Sequence, residues 1–218
     1  MHDHVAADAK FRDRFQRETI LMARFQHPNA VTLYDASLSD PFGPCIVMEY
    51  VKGVNLERLL QQNGRLSAAR VGRVVAQLCD VLQAAHDEGI IHRDLKPANI
   101  LLKAEAEPGA EVTTTVSAGL PAAGYLAKIT DFGLARLLDE DGSLTRSGAL
   151  AGTPGFMAPE QTSAAAKVDV RADVYALGAT LYNLITGRPP FHADTPIETL
   201  KQVQQQEPIA PRSLNPTV

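Results

Sequence analysis

Two short motifs carry residue types that could hold the phosphates of a nucleotide through metal ions. They are His92-Arg93-Asp94-Leu95-Lys96-Pro97-Ala98-Asn99 and Asp131-Phe132-Gly133. Magnesium takes oxygen ligands in near-octahedral geometry, and proteins usually supply one or two side chains while the phosphates supply further ligands. Asn99 and Asp131 can be those two side chains. This assignment leaves the carboxylate of Asp94 for an acceptor hydroxyl.

The two motifs resemble signature sequences of the eukaryotic-type (Hanks-type) protein serine/threonine kinases, including the bacterial members. That family spells its catalytic loop H-R-D-x-x-x-x-N and its metal-binding triplet D-F-G. A third segment stands where the family has A-P-E, and it is Gly152-Thr153-Pro154-Gly155-Phe156-Met157-Ala158-Pro159-Glu160. The resemblance covers about residues 11–211. A chance match to three motifs in this order is very improbable.

The resemblance implies a role for each matching residue of the catalytic loop. Asp94 matches the carboxylate that orients the substrate hydroxyl, and Lys96 matches the lysine that steadies the γ-phosphate. Asn99 and Asp131 match the two metal ligands, so ATP and Mg²⁺ are the implied cofactors. Lys96 and Thr153 are typical of the serine/threonine branch, which predicts Ser or Thr acceptors in protein substrates. Each residue alone could be a solvated loop residue, but their order and spacing favour the functional interpretation.

The segment Met48-Glu49-Tyr50-Val51 resembles the hinge that binds adenine in this family. The resemblance implies that backbone groups of Glu49 and Val51 meet the adenine edge, while Met48 guards the pocket behind it. Leu101 is a further predicted nucleotide-contacting residue. A plain buried strand would use the same residue types, and the hinge segment taken alone does not separate the two interpretations.

Three further matches imply supporting roles. Glu160 resembles the A-P-E glutamate, which the family normally pairs with an arginine of a late helix. Asp173 is similar to the buried aspartate that braces the catalytic loop. Phe132 fits a stacked apolar column linking the lobes, together with Met22, Leu33 and His92. Simple core packing predicts the same residue types for that column.

Glu18 resembles the helix glutamate that pairs with a lysine of the third strand in the family, but its partner is missing from the sequence. The family's Gly-rich loop and V-A-I-K strand should precede this helix, and too few residues stand before Phe11 to hold them. Lys10 lies about two turns before Glu18 on the same predicted helix, so it cannot face Glu18 from a strand. We therefore expect a kinase domain truncated at both ends, and a solvated helix charge gains weight as the interpretation of Glu18.

The resemblance also predicts regulation by phosphorylation. In the family, an arginine directly before the catalytic aspartate, here Arg93, is associated with phosphorylation of the loop after D-F-G. That loop contains Thr145 and Ser147. A phosphate there could form a charge-assisted pair with Arg93, and autophosphorylation is one source of it. The alternative is an ordinary exposed loop in which these hydroxyls do nothing.

Periodicity and turn residues predict the elements that position these motifs. A helix is expected over Phe11–Phe25 and strands over Ala30–Tyr34 and Pro44–Val51. Further helices are expected over Leu56–Leu60, Ser67–Glu88, Val174–Thr186 and Ile197–Gln206, and short strands over Ile100–Leu102 and Lys128–Thr130.

These elements predict an α+β, protein-kinase-like fold with a partial small lobe and a mostly helical large lobe that lacks its last helices. The small lobe is expected over residues 1–48, the hinge over 49–52 and the large lobe over 53–207. A low-structure surface insertion is expected at about 103–127, and a Pro-rich connecting tail at 208–218.

Composition excludes several classes of protein. The net charge is −4 over 218 residues without a basic stripe, which disfavours a nucleic-acid partner. Cys45 and Cys79 have neither metal-ligand spacing nor disulfide density, which indicates a reducing cytoplasm. No run of apolar residues is long enough for a membrane helix. A membrane anchor outside this chain stays open.

Three hypotheses for the function follow. The first is an ATP-dependent protein serine/threonine kinase, of which this chain by itself is expected to be inactive. The second is a non-catalytic, pseudokinase-like binding module, because the strand lysine and the Gly-rich loop are missing. The third is a small-molecule kinase, which the segment up to Glu160 disfavours. A G-x-G-x-x-G and a V-A-I-K encoded upstream of Met1 would favour the first over the second.

Overall fold

Helix α1 and a two-stranded sheet come first in the chain. The computed structural model describes residues 9–38, 40, 45–104, 124–132, 154–162 and 168–218, with only the backbone for 9–14, 17 and 18. α1 (Ala9–Arg24) precedes the antiparallel strands β1 (Leu33–Ser37) and β2 (Cys45–Met48). Phe15 is buried and holds α1 against this sheet in an apolar cluster with Ala36, Leu38 and Ile46.

A second sheet carries the two chemical motifs. Its antiparallel strands are β3 (Gly53–Asn55), β4 (Ile100–Ala104) and β5 (Tyr125–Ile129), in that spatial order. β4 directly follows the catalytic loop and β5 is separated from Asp131 only by Thr130, so pairing of Ile100 with Ile129 brings the motifs to one end of the sheet.

A short backbone seam joins the two sheets. Ala30 forms a parallel bridge with Ile129, in which the Val31 N–H donates to the Ile129 carbonyl and the Ile129 N–H donates to the Asn29 carbonyl, both at 2.8 Å. The Asn29 side chain adds a hydrogen bond of 2.8 Å to Gln77. The segment after α1 is therefore anchored to β5, the strand that leads to Asp131.

The helices after β3 are α2 (Leu56–Asn63), α3 (Ala68–Asp87), α4 (Val170–Thr186), α5 (Pro196–Gln205) and α6 (Pro211–Leu214). Local signals explain their ends. The Asn55 side chain accepts the Arg58 N–H at 2.8 Å and caps α2. Gly187 ends α4 in the left-handed conformation, with φ 85°, which glycine adopts without a steric penalty.

The main core lies where α3 and α4 pack against β4 and β5. Val74, Leu78 and Val81 of α3 are completely buried, as are Ile129 of β5 and Leu184 of α4. Burial of one such side chain contributes about 1.5–3 kcal/mol. The core therefore fixes α4, the helix that carries Asp173, beneath the catalytic loop.

The predicted helices are present with small shifts at their ends. α4 begins at Val170 instead of Val174 because Asp169 caps it, its side chain accepting the Arg171 N–H at 2.9 Å. Ser67 precedes α3 as predicted, although its side chain makes no capping hydrogen bond. The first predicted strand was placed too early, since β1 spans Leu33–Ser37.

Two predicted boundaries were wrong. β4 continues to Ala104 and β5 begins at Tyr125, so both ends of the predicted 103–127 insertion belong to a hairpin, and residues 105–123 lie outside the described part. The Pro-rich tail is not a simple connector, because it contains α6 and packs on α4. Asn215 is buried and donates to the Ile185 carbonyl at 2.8 Å.

Within the described ranges, no helix combines the length and the apolar character needed to cross a membrane.

Candidate active site

The catalytic loop brings Asp94, Lys96 and Asn99 together. Lys96 Nζ lies 3.0 Å and 2.8 Å from the two carboxylate oxygens of Asp94. Asn99 Nδ2 donates to the Asp94 carbonyl at 2.8 Å and to its Oδ2 at 3.1 Å. A single turn, Pro97–Asn99, makes this possible, and Pro97 suits its first position because proline has no N–H to leave unpaired. The Asp94 carboxylate is therefore held on two sides.

Asp173 supports this loop from below. It is completely buried in α4, and its Oδ2 and Oδ1 accept the backbone N–H groups of His92 and Arg93, each at 2.8 Å. His86 Nε2 lies 2.8 Å from the same Oδ2. Arg93 has a φ of 68°, in the left-handed region that costs a non-glycine residue about 1–3 kcal/mol. Asp173 thus offsets the strain of the residue directly before Asp94.

Asp131 has the second strained backbone, with φ 64°. The residue before it joins the two motifs, because the Thr130 N–H donates to the Asn99 carbonyl at 3.0 Å and the Thr130 carbonyl lies 2.9 Å from His92 Nε2. The Phe132 ring meets the His92 ring edge-on, with centroids 4.9 Å apart. The two predicted metal ligands therefore lie on segments joined by a backbone hydrogen bond.

The donor set fits a magnesium–nucleotide complex. Within the described residues, both hydrogen bonds of the Asn99 amide come from Nδ2, so Oδ1 is the atom left for a metal, and Asp131 supplies a half-buried carboxylate. Among the described residues, no three His, Cys, Asp or Glu side chains cluster as a metal site. A magnesium ion held by Asn99 and Asp131 would take further oxygen ligands from phosphates or water.

The predicted hinge begins at the end of β2. The Glu49 N–H donates to the Thr32 carbonyl at 2.8 Å, and the Thr32 N–H returns a bond of 3.3 Å to Glu49 Oε2. Lys128 of β5 lies 2.9 Å from the same Oε2 and donates to the Ala30 carbonyl at 2.8 Å. Lys128 was not predicted as a site residue, because the distance of 79 positions between it and Glu49 hides the pair in the sequence.

The surroundings of the Glu49 carboxyl lower its pKa. Partial burial alone would raise the pKa of the Glu49 carboxyl, but the hydrogen bond from Lys128, the Thr32 N–H and the positive charges of Lys128 and Lys103 hold the pKa below its ordinary value. Glu49 is therefore ionised and paired at neutral pH.

A cavity lies behind the hinge, and it includes two of the predicted cofactor-binding residues, Met48 and Asp131. The other residues lining it are Met22, Phe25, Val31, Leu33, Ile90, Thr130 and Phe132. Glu49, Val51, Asn99 and Leu101 are not part of its lining. Leu101 is half-buried in β4, opposite Lys128. Met48, which was predicted to lie at the back of the adenine site, thus forms part of the cavity wall.

The segment 154–162 lies against the catalytic loop through Gln161. Its Nε2 donates to the Arg93 carbonyl at 2.7 Å, and its Oε1 accepts the Ala158 N–H at 2.9 Å. Glu160 is half-buried. Its negative charge acts on Tyr175, whose pKa is raised first by burial and then by the charges of Glu160 and Glu207. Gln161 was not predicted as a site residue. The sequence feature that could have indicated it is its position directly after Glu160.

Some predicted residues cannot be placed. Thr145, Ser147 and Thr153 lie outside the described residues, as does Gly133 of the D-F-G triplet. Glu18 lies in α1, but its side chain is outside the described part. The roles assigned to these residues stay predictions.

Comparisons with known proteins match this arrangement. A family model described as a protein kinase domain matches residues 2–216. The serine/threonine-protein kinase PknB of Mycobacterium tuberculosis is 39% identical over 211 residues, which cover 95% of this chain and 30% of that protein. PknB of Mycolicibacterium smegmatis is 37% identical over the same length and share of this chain. The chain thus spans about a third of the length of these curated relatives.

A solved structure gives the same result for the fold. The crystal structure of the PknI kinase domain of Mycobacterium tuberculosis covers all of this chain with a TM-score of 0.68 and 28% identity, and the match covers 70% of that domain structure. The predicted protein-kinase-like fold is confirmed. With the family model spanning nearly all its residues, this chain belongs to the protein kinase domain family.

Proposed function

We propose that the protein transfers the γ-phosphate of ATP to Ser and Thr hydroxyls of protein substrates. The observation that carries the proposal is the catalytic loop, in which the Asp94 carboxylate is held by Lys96 and Asn99 within 2.8–3.1 Å. A fixed carboxylate can orient a hydroxyl for attack, and a neighbouring ammonium can neutralise the charge that develops on a transferred phosphoryl group.

The residues divide the reaction between them. Asp94 accepts the hydrogen bond of the substrate hydroxyl and receives its proton, while the hydroxyl oxygen forms the new bond to phosphorus and ADP leaves with the electrons of the broken bond. Lys96, beside Asp94, faces the transferred group. Magnesium, held through Asn99 and Asp131, would neutralise the phosphate charge. The strained backbone at Arg93 and Asp131 preorganises these groups before substrate binds.

The hinge supplies the adenine site in this proposal. The N–H of Glu49 is used by Thr32, so its carbonyl, together with the backbone of Val51, is offered to the adenine edge. Met48 stands between this edge and the cavity behind it.

The catalytic interpretation is favoured over a non-catalytic binding module. A module without catalysis gains nothing from strained backbone at Asp131, a proposed metal ligand, and at Arg93, directly before Asp94, and such strain persists only where the surrounding structure holds it. Names of relatives also favour a kinase, since PknB is called a serine/threonine-protein kinase.

The test is phosphate transfer by the full-length protein from labelled ATP to a basic protein acceptor, followed by phosphoamino-acid analysis. We expect magnesium-dependent label on Ser and Thr, which Asp131→Ala abolishes by removing a metal ligand. Asp80→Asn, which changes an exposed carboxylate on α3, is the control and should transfer normally. Label on tyrosine, or equal transfer without divalent metal, contradicts the proposal.

The proposal extends to regulation and location. Phosphorylation of Thr145 or Ser147, by the protein itself or another copy, would add a charge that Arg93 can pair with. Mass spectrometry of active protein should find these phosphates, and a Thr145→Ala, Ser147→Ala double variant with full activity would contradict the idea.

We place the domain in the cytoplasm, where ATP is available and Cys45 and Cys79 stay reduced.

A further inference from the structure

The side chain of Gln161 connects two segments by complementary hydrogen bonds. Its Nε2 donates to the carbonyl of Arg93 at 2.7 Å, across 68 positions of sequence. Its Oε1 accepts the N–H of Ala158 at 2.9 Å. One side-chain amide thus acts as donor to the catalytic loop and as acceptor from the segment 154–162, and an amide offers both functions at neutral pH.

The carbonyl that Gln161 binds belongs to the peptide group that leads into Asp94. The N–H of that same peptide group donates to His92 Nδ1 at 3.2 Å. A peptide group is planar, so fixing its carbonyl and its N–H fixes the direction in which the chain enters Asp94. Asp173 fixes the preceding peptide through the Arg93 N–H at 2.8 Å. Gln161 therefore joins His92 and Asp173 as a described side chain that orients the left-handed turn at Arg93.

The other end of the bridge is firmly packed. Pro154, Gly155 and Phe156 are buried, and a Cβ atom added to Gly155 would overlap the carbonyl of Phe191. Ala158 is completely buried. This packing holds the segment against the residues that follow α4, so it can serve as a fixed reference for the catalytic loop.

We propose that Gln161 is a positioning residue that aligns the Asp94 carboxylate with the segment 154–162, and that the alignment sets the turnover rate. The inference rests on the proposed function and deepens it. Its alternative is that Gln161 only fills space. A space-filling role needs the volume of the side chain, whereas the positioning role needs its N–H donor.

Two substitutions separate these roles in the full-length protein. Gln161→Glu keeps the shape and the acceptor for Ala158 but replaces the donor to Arg93 with a carboxylate oxygen. Gln161→Met keeps the approximate volume and removes both functions. Gln205→Glu makes the same amide-to-carboxylate change at an exposed position on α5 and serves as the control.

We expect kcat for a protein acceptor to fall about tenfold in both Gln161 variants, as for the loss of one hydrogen bond that aligns the reacting groups. KM for ATP and the dissociation constant of a fluorescent ATP analogue should stay within about twofold of the wild type. Gln205→Glu should match the wild type in all three measurements. A kcat of Gln161→Glu within about twofold of the wild type overturns the inference.

Amide hydrogen exchange provides a readout that does not depend on activity. The Asp94 amide should exchange faster in both Gln161 variants, while the core amides of Val74 and Leu78 keep their protection. Loss of protection at all three positions would show a general packing role and overturn the inference. If the wild type itself transfers no phosphate, the proposed function fails, and unchanged Asp94 exchange would reject the positioning role separately.

Discussion

The catalytic loop and the hinge are each held by a carboxylate, and the two carboxylates lie in different surroundings. Asp173 is completely buried, and two backbone N–H groups and His86 meet it at 2.8 Å. The Glu49 side chain keeps 21% of its surface exposed and pairs with Lys128 at 2.9 Å. Asp173 accepts two short backbone hydrogen bonds, whereas the shortest contact of Glu49 is to the long side chain of Lys128 and its backbone hydrogen bond from Thr32 is 3.3 Å.

This difference predicts that the contacts of the catalytic loop and those of the hinge open at different free-energy costs. A buried charge without its partners is costly, so the contacts of Asp173 break only together with the local fold. In the pair of Glu49 and Lys128 the lysine is buried but the Glu49 side chain keeps partial exposure, so water can replace Lys128 at the carboxylate and the contact opens at a smaller cost than those of Asp173. We therefore expect the catalytic loop to be rigid and the hinge to be adjustable, as suits a site that must admit and release a nucleotide.

The largest expected effect comes from replacing the Asp94 carboxylate in the catalytic loop. Asp94→Asn keeps the shape of the side chain but removes the base to which the proposed mechanism assigns the hydroxyl proton, so kcat should fall by a factor of about 100 or more. The measurement is steady-state phosphate transfer by the full-length protein, with circular dichroism to verify folding. Transfer above a tenth of the wild-type rate would show that Asp94 is not the catalytic carboxylate, whereas Asp87→Asn, at the exposed end of α3, should have no effect.

Removing the buried support should cost stability. Asp173→Ala leaves the N–H groups of His92 and Arg93 unpaired, and the free energy of unfolding should fall by about 3 kcal/mol. Denaturant titration checks this value. Asp194→Ala, at an exposed position before α5, is the matched control. If the two variants were equally stable, the contrast between a rigid loop and an adjustable hinge would lose its basis.

The same experiment at the hinge should give a smaller effect. Lys128→Met keeps most of the apolar stem of the side chain and removes the charge that pairs with Glu49, so we expect a loss of about 1–2 kcal/mol. Denaturant midpoints would measure it beside Lys201→Met, which changes an exposed lysine of α5. A loss as large as that of Asp173→Ala would contradict an adjustable hinge.

The smallest effect is a change with pH. The pKa of Glu49 is lower in the folded protein than in the unfolded chain, so its pairing adds stability above the unfolded value of about 4.3 and loses it as pH falls through the lower folded value. The difference in melting temperature between wild type and Lys128→Met should therefore shrink on acidification. Lys201→Met should show no such trend, and a difference that widens at low pH would have the wrong sign.

Sequence reasoning succeeded where the signal is local. Periodicity and end residues predict α2, α3, α4 and α5 to within a few residues, because capping and apolar spacing act over one or two turns. It failed at the tail, where Pro208 and its neighbours were taken as a connector. The contacts that hold this tail, from Tyr182 Oη to the Ile209 carbonyl and from Asn215 to the Ile185 carbonyl, both at 2.8 Å, join residues far apart in sequence.

What the sequence by itself determined is the chemistry: the order of Asp94, Lys96, Asn99 and Asp131, the family that spells its motifs this way, and the helices that surround them. Only the tertiary structure decided how those groups are oriented. The left-handed backbone at Arg93 is imposed by surrounding contacts, because an arginine by itself avoids positive φ, whereas Asp131 is of a residue type that adopts this region more readily. At Arg93 such contacts come from distant elements, with Asp173 and Gln161 binding its backbone, and the bond from Lys128 to Glu49 links the hinge to β5.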